Sequence, residues 1–341
     1  MATTTIADAP RVGAAEPERP PASRRRHRVP ITPYLYIAPF FIVFGLFGLF
    51  PLVYTAVISL FEWNPIGDKT FIGLENYAFL VADPRFWNAA GNTLSIWVLS
   101  TVPQLAFALV LAAVLNQALL KFKTGFRMAV LVPNITSVLA VGIVFTQLFG
   151  RDYGMINTVI EAFGGSRIDW VREGFASQVA ISTMIMWRWT GYNALIYLAA
   201  MQSIPRSLYE SAEIDGAGRI RQFFAVTIPQ VRPTIIFTVI VSTIGGLQVF
   251  AEPLIFGGQG GVTGGQSRQF QTLALFLYEQ GFRNLDFGYG SAIAWALFLI
   301  IVVLTVVNLT LSSRIASDET RPNGLGRVRL RGRMTRKEGA K

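Results

Sequence analysis

The sequence predicts an all-α integral membrane protein that crosses the bilayer six times. Of its 341 residues, 52% are hydrophobic and only 15% are charged, which is more apolar surface than a soluble core of this size needs. The charged residues are clustered, so that long stretches between the clusters carry none. These stretches reach the roughly 20 residues that a helix needs to cross the hydrocarbon core of a bilayer.

Each predicted span occupies a stretch that is nearly free of charge. Five stretches, 29–61, 86–120, 128–150, 233–251 and 287–313, contain no charged residue, and a sixth at about 177–202, the fourth in chain order, contains one, Arg188. The predicted spans are residues 34–61, 92–115, 127–149, 177–201, 233–255 and 288–312. We therefore predict one transmembrane domain over residues 31–315, with polar tails at 1–30 and 316–341.

The distribution of lysine and arginine predicts the orientation of the spans. Basic residues are retained on the cytoplasmic side of a membrane. Of the 30 Lys and Arg residues, 22 lie in the two tails and in the second and fourth loops, and 7 lie in the other three loops. Both termini are therefore predicted to be cytoplasmic, and so is the loop at 203–232.

The two tails are basic and rich in Pro, Ala and Gly, a composition typical of disorder. The basic run at 327–336 suits anchoring of the topology or contact with anionic lipid headgroups. No aromatic platform accompanies it, which argues against nucleic acid. The single histidine, His27, lies in the N-terminal tail.

The loop at 203–232 has the features of two short helices joined by a turn. Pro205 suits the first turn of a helix, and Gly216 suits a left-handed turn at its end. Small side chains at Ser211 and Ala212 leave a smooth patch that another protein could approach. These residues alone leave two alternatives open, a structured connector or a docking surface for a partner.

The same loop resembles the coupling loop of permease subunits of ATP-binding-cassette importers. The family pattern is Glu-Ala-Ala, three residues, Gly, nine residues, then Ile-x-Leu-Pro, and every spacing is preserved here. The residues that would dock on an ATPase subunit are Glu210, Ser211, Ala212, Asp215, Gly216, Val226, Ile228 and Pro229. Ser211, Val226 and Ile228 are conservative departures from the pattern.

Weaker landmarks resemble the sugar-transporting, maltose-type branch of that family over roughly residues 31–315. They lie at 73–77, 91–93, 250–253, 257–265 and 290–294. The resemblance implies a MetI-like type I importer permease fold, with six spans and a cytoplasmic coupling helix, in a bacterial inner membrane. It implies four kinds of partner: a second, homologous permease subunit in a heterodimer, two cytoplasmic ATPase subunits, an extracytoplasmic sugar-binding protein and the lipid bilayer. The implied cargo is a di- or oligosaccharide, such as a cellobiose- or lactose-type sugar.

The chain itself is predicted not to be an enzyme. It has no Gly-Lys pair and therefore no P-loop to hold a phosphate. A Gly-Gly-Gln echo of an ATPase signature at 264–266 lies in a loop predicted to face outward. The resemblance implies that ATP and Mg are bound by the partner ATPase subunits, and no cofactor or metal is predicted on this chain.

A substrate pathway is predicted around the charge inside the fourth span. Intramembrane charge is costly, so Arg188 is a functional candidate. Aromatic rings stack on sugars, and Arg and Asn can hydrogen-bond their hydroxyl groups. The predicted pathway residues are Trp187, Arg188, Tyr192, Asn193, Gln248 and Glu252, the last two on one face of the fifth span. The alternatives are an assembly role for Arg188 and a packing or outer-gate role for Gln248 and Glu252.

Two other classes of protein are disfavoured. A self-contained secondary carrier of a small polar solute predicts mid-span Asp or Glu and repeated halves, and neither is seen. An intramembrane protease would need a base for Ser291, but His27 is in the tail.

Overall fold

The computed structural model describes residues 32–117 and 121–319, with side chains described for 33–117 and 121–311. The predicted tail 1–30 lies outside the described residues, and so does 316–341 apart from the end of the last helix. The chain divides into two compact units, residues 1–51 and residues 52–341. The first unit contains α1 (Thr32–Phe44), a π-helical turn (Gly45–Leu49) and the start of α2 (Phe50–Ile58). None of its described side chains is buried, as expected for an apolar helix that faces lipid or an apolar partner.

The second unit is mostly helical. From its N-terminal end it contains β1 (Phe61–Trp63), β2 (Lys69–Phe71), α3 (Glu75–Ala82), α4 (Pro84–Asn116), α5 (Lys123–Ile135), α6 (Val138–Leu148) and α7 (Met155–Ala162). There follow α8 (Gly174–Gln202), α9 (Arg206–Ile214), α10 (Arg219–Gln222), a π-helical turn (Phe223–Thr227) and α11 (Ile228–Leu247). The unit ends with α12 (Ala251–Phe256), a 3-10 turn (Gly258–Gly260), α13 (Leu273–Tyr278), a π-helical turn (Glu279–Arg283) and α14 (Phe287–Glu319).

Within the described residues, four helices are long and apolar enough to cross a membrane, and a bent pair makes a fifth. The four are Pro33–Ile58, Pro84–Asn116, Arg219–Leu247 and Phe287–Leu311. The pair α5 and α6 is bent by 89°, because Thr136 is extended and Ser137, at φ −53° and ψ 130°, is also non-helical. The predicted fourth span falls on α8, a continuous helix of 29 residues that is more polar than the others and is not among these candidates.

A short hairpin lies outside the helices, where the sequence predicted helices alone. Strands β1 and β2 pair antiparallel, with Phe61 opposite Phe71 and Trp63 opposite Lys69. The Lys69 ammonium lies 4.2 Å from the centre of the Phe61 ring, a cation–π contact that stabilises the pairing. The strands are joined by a turn that begins at Asn64, whose carbonyl accepts from the Gly67 N–H and whose Oδ1 accepts from the Ile66 N–H.

The predicted fifth span, 233–255, falls on two helices. Helix α11 ends at Leu247 and α12 begins at Ala251, with Phe250 at φ −132° between them. The prediction that Gln248 and Glu252 share one helical face is therefore wrong. Gly245 and Gly246 weaken the end of α11, because glycine is a poor helix former.

Small residues allow helices of the second unit to pack closely against one another. Ala108 and Ala112 of α4 are completely buried in a cluster with Tyr197 and Leu198 of α8. Gly191 of α8 lies against the backbone carbonyl of Val130 in α5, at a separation that leaves no room for a Cβ atom. Small residues at such contacts let helix backbones approach each other, as in other membrane helix bundles.

Candidate functional site

A cavity of about 380 Å³ lies in the second unit, between α4, α8, α11 and the break that precedes α12. Its lining comprises Thr101, Gln104, Ile185, Trp189, Tyr192, Asn193, Val241, Ser242, Gly245, Gly246, Gln248, Val249, Phe250, Ala251 and Glu252. The volume is in the range of small-molecule sites. The break between α11 and α12 builds one wall, because the non-helical residues Gln248 to Phe250 all line the cavity.

The lining combines aromatic faces with uncharged hydrogen-bonding groups. Trp189 and Tyr192 lie edge to face, with ring centres 5.9 Å apart. Gln104, Asn193 and Gln248 add side-chain amides that can both donate and accept. Glu252 is the one charged group among the described lining residues. Such a surface suits a polar, uncharged ligand with flat apolar faces.

Arg188 lies beside the cavity and neutralises Glu252. Its Nη1 donates to Glu252 Oε1 at 2.5 Å, and the side chains are only 13% and 9% exposed, respectively. The pair joins α8 to α12 and sets the direction of the Glu252 side chain. The Nε of Arg188 is buried and has no hydrogen-bond partner among the described residues.

Four of the six predicted pathway residues line the cavity, and two do not. Tyr192, Asn193, Gln248 and Glu252 contribute to the wall. Arg188 lies behind Glu252, and Trp187 faces elsewhere, with its ring 5.7 Å from that of Phe145 in α6. Successive helical residues differ by about 100° in direction, so Trp187 and Trp189 of α8 cannot both face one cavity.

The predicted pathway residues omitted two side chains that line the cavity, Trp189 and Gln104. Trp189 lies one turn from Asn193 on the same helical face, as the spacing of the two residues indicates. Gln104 is buried in the middle of α4. A glutamine within an otherwise apolar span is itself a signal for a function, because a buried polar group requires a partner.

The segment from Gly257 to Thr272 is held to the cavity wall by hydrogen bonds. Thr272 Oγ1 donates to the carbonyl of Val249 at 2.9 Å. Asn92 of α4 donates to the carbonyls of Arg268 and Gln271, and Gln178 of α8 donates to Asn92 Oδ1. The segment is therefore fixed to α4 and α8 and to the break beside the cavity.

Arg268 and Glu279 form the central ion pair of this anchor. Arg268 donates two hydrogen bonds to the Glu279 carboxylate, and Gln271 Nε2 donates a third at 2.7 Å. Burial raises the pKa of Glu279, but the hydrogen bonds from Arg268 and Gln271 outweigh it and hold the pKa below its ordinary value. The carboxylate is therefore ionised at neutral pH.

The predicted coupling loop forms α9, a turn and α10. Glu210 and Ser211 are exposed on α9, Ala212 is half-buried, and Asp215 ends the helix. Gly216 has φ +76°, as the sequence predicted from its left-handed turn.

The rest of the coupling pattern packs against the bundle. Val226 lies in the π-helical turn, and Ile228 and Pro229 begin α11. Tyr209 Oη and Thr227 Oγ1 lie 2.9 Å apart, a hydrogen bond that fastens α9 to the start of the next span.

The family of the chain follows from comparison with known proteins. Residues 77–317 match the family described as "Binding-protein-dependent transport system inner membrane component". The chain belongs to this family. The recognition of an importer permease from the loop at 203–232 is therefore confirmed.

Relatives of this membrane component match most of its length. The lactose transport system permease protein LacF of Rhizobium radiobacter is 38% identical over 275 residues, which are 80% of this chain and 91% of that protein. The arabinooligosaccharides transport system permease protein AraP of Halalkalibacterium halodurans is 34% identical over 285 residues, 83% of this chain and 88% of that protein.

A solved structure has the same fold. It is described as the "crystal structure of bacterial alginate ABC transporter in complex with alginate pentasaccharide-bound periplasmic protein". Its matching chain gives a TM-score of 0.71 at 21% identity, over 83% of this chain and 94% of that one. The MetI-like permease fold is therefore confirmed.

Proposed function

We propose that this chain is one permease subunit of an ATP-driven, binding-protein-dependent importer, and that the cavity carries a neutral di- or oligosaccharide. The observation that supports the cargo is the cavity lining, in which aromatic rings and amides surround a carboxylate already neutralised by Arg188. Aromatic faces match the apolar faces of sugar rings, and amides match their hydroxyl groups. Lactose and arabinooligosaccharide permeases among the relatives support the same class of cargo.

The proposal includes six spans with both termini in the cytoplasm. Helix α8 would be the fourth span, since its 29 residues exceed the roughly 20 that are needed. The pairing of Arg188 with Glu252 lowers the cost of placing the one charge of this helix in the membrane. The bent pair α5 and α6 would be the third span.

The cytoplasmic helix α9 would couple transport to ATP. Large apolar side chains are exposed on and beside α9, including Ile214, which is 86% exposed, and Ile220, which is 77% exposed. An exposed apolar patch next to a short amphipathic helix suits a partner's groove. The partners would be two ATPase subunits that bind ATP and Mg, a second permease in a heterodimer, and an extracytoplasmic sugar-binding protein.

The cargo assignment is tested by a matched pair of tryptophans. In proteoliposomes that contain the complete transporter, Trp189→Ala is expected to reduce sugar uptake about tenfold, since the apolar contact of the ring with a sugar face is lost. Trp187→Ala, two residues away on the same helix but outside the cavity, is expected to keep uptake near that of the native chain. Equal uptake by the two variants would contradict the cavity assignment.

The coupling assignment has its own matched pair. Glu210→Ala is expected to weaken co-purification of the ATPase subunit, and Glu213→Ala, exposed on the same helix outside the family pattern, is expected to leave it unchanged. Transport by the purified chain alone, driven by an ion gradient, would instead support a self-contained secondary carrier.

A further inference from the structure

A second and larger cavity opens where several helix ends meet. It has a volume of about 800 Å³, and its lining includes the end of α4, the start of α5, the end of α8, and residues of α9 and α10. Two candidate membrane spans have an end in this lining, at Asn116 and Lys123, and the helix that begins at Arg219 leads into a third. Because spans end at the boundary between hydrocarbon and water, the cleft lies at the level of lipid headgroups.

The cleft is strongly basic. Lys123, Arg127, Arg206 and Arg219 line it, and no carboxylate is among its described lining residues. None of these four cations forms an ion pair with a side chain of residues 33–117 and 121–311. Like charges in one cleft repel, and a bound anion removes that repulsion.

One of the cations carries a buried donor without a partner. The Nε of Arg127 is inaccessible to water and donates to no described residue, although burial of an unsatisfied donor is unfavourable. That nitrogen is too enclosed for a ligand in the cleft to reach, so an anion would be held by the outer guanidinium nitrogens of Arg127 and by the other three cations. Phosphate provides several acceptor oxygens, and arginine binds them with charge-assisted hydrogen bonds.

The surroundings of the cleft indicate the source of the phosphate. Phe122 is 85% exposed and Phe126 is 50% exposed, and each directly precedes a lining cation in the sequence. Apolar rings beside a basic cleft at headgroup depth fit a ligand with a phosphate and acyl chains. Basic pockets between membrane helices bind anionic headgroups in this way.

We propose that this cleft binds the phosphate headgroup of an anionic phospholipid, held by Lys123, Arg127, Arg206 and Arg219. The bound lipid would join α4, α5 and α8 to α9 and α10. The bound lipid would belong to the cytoplasmic leaflet if the proposed topology holds, whereas the preference for anionic lipid depends only on the basic residues of the cleft.

The test compares lipids retained by the purified full-length chain. The chain is placed in nanodiscs with equal amounts of phosphatidylglycerol and phosphatidylcholine, and the lipids that remain bound are identified by native mass spectrometry. At about fivefold for each lining cation, the native chain is expected to retain phosphatidylglycerol at more than about 25 times the level of phosphatidylcholine. Equal retention of the two lipids would overturn the proposal without any mutation.

Matched double variants locate the site. Lys123→Gln with Arg219→Gln removes two lining cations, and Lys121→Gln with Arg221→Gln removes two cations that lie two residues away and outside the lining. A surface cation contributes about fivefold to anionic lipid binding, so the first variant is expected to lose about 25-fold and the second little. A similar loss in both variants would overturn the site. Arg127→Gln alone is the milder test if the double variant does not fold.

Two further outcomes would contradict the lipid assignment. Inorganic phosphate that binds the detergent-solubilised chain as tightly as phosphatidylglycerol would identify a soluble anion as the ligand. In nanodiscs of pure phosphatidylcholine, the lining variant could lose co-purification of the ATPase subunit while the control variant keeps it. That result would show that the cleft binds an acidic surface of the ATPase and not a lipid.

Discussion

The ion pair between Arg188 and Glu252 makes a quantitative prediction about the cavity wall. Its N···O distance is 2.5 Å, and the two side chains are 13% and 9% exposed. At an effective dielectric constant of 20, the Coulomb attraction at that distance is about 7 kcal/mol. Desolvation of the two charges offsets a large part of it. Removing one partner leaves the other charge buried and unpaired, and typically costs about 3–5 kcal/mol.

A double-mutant cycle measures this pair. We expect Arg188→Met and Glu252→Gln each to lower the free energy of unfolding by roughly 3 kcal/mol. The double variant is expected to lose less than the sum of the two, with a coupling energy of about 2 kcal/mol. The assay is reversible unfolding of the purified chain in mixed detergent and sodium dodecyl sulfate micelles, followed by tryptophan fluorescence.

An exposed ion pair of the same chain serves as the control. Arg167 and Glu161 lie 2.6 Å apart with side chains 47% and 42% exposed, respectively. The same cycle at that pair is expected to show much weaker coupling, because water and salt screen exposed charges. If the coupling energy of Arg188 and Glu252 is no larger than that of Arg167 and Glu161, the argument that burial strengthens the cavity pair is refuted.

Three further predictions concern the anchors of the fold. Gly191→Ala places a Cβ against the Val130 carbonyl and is expected to destabilise the chain by about 1–3 kcal/mol in the same unfolding assay. The control is Gly91→Ala, where the space around the new Cβ is open and no such steric cost is expected. Equal losses of stability in the two variants would contradict the close contact at Gly191. Glu279→Gln is expected to cost roughly 2–3 kcal/mol at neutral pH, less than a fully buried pair because Arg268 is 28% exposed. Since the folded pKa of Glu279 is lowered, its contribution is present above pH 4.5 and is lost as the pH falls through the folded value, so the difference between native and variant chains must shrink in acid. Gly216→Ala is expected to cost about 1 kcal/mol, because φ +76° is unfavourable for alanine, and a stabilised variant would contradict the left-handed turn.

The membrane character and the family of the chain were predictable from local patterns. Charge-free stretches of spanning length are visible without any knowledge of contacts, because the bilayer acts on each segment separately. The pattern from Glu210 to Pro229 indicated the family from the sequence alone, because all of its residues lie within one short segment. In that loop α9 begins at Arg206, directly after Pro205, where the sequence predicted a helix start. The predicted left-handed turn is found at Gly216.

The sequence was a weaker guide to the pathway. It indicated the right part of α8, but it placed Gln248 and Glu252 on one helix, and it selected Trp187 where the cavity has Trp189. The break at residues 248–250 depends on hydrogen bonds from distant segments, such as that of Thr272 to the Val249 carbonyl. Such contacts have no signature in the local pattern.

The sequence by itself therefore determined that this chain is a helical membrane component with a loop of the importer type. The tertiary structure decided which polar groups meet. A cavity exists only where side chains from α4, α8 and the broken end of α11 converge, and that convergence depends on the rotation of each helix about its axis. Rotation is set by packing, by contacts such as Gly191 on Val130 and by the ion pair of Arg188 with Glu252.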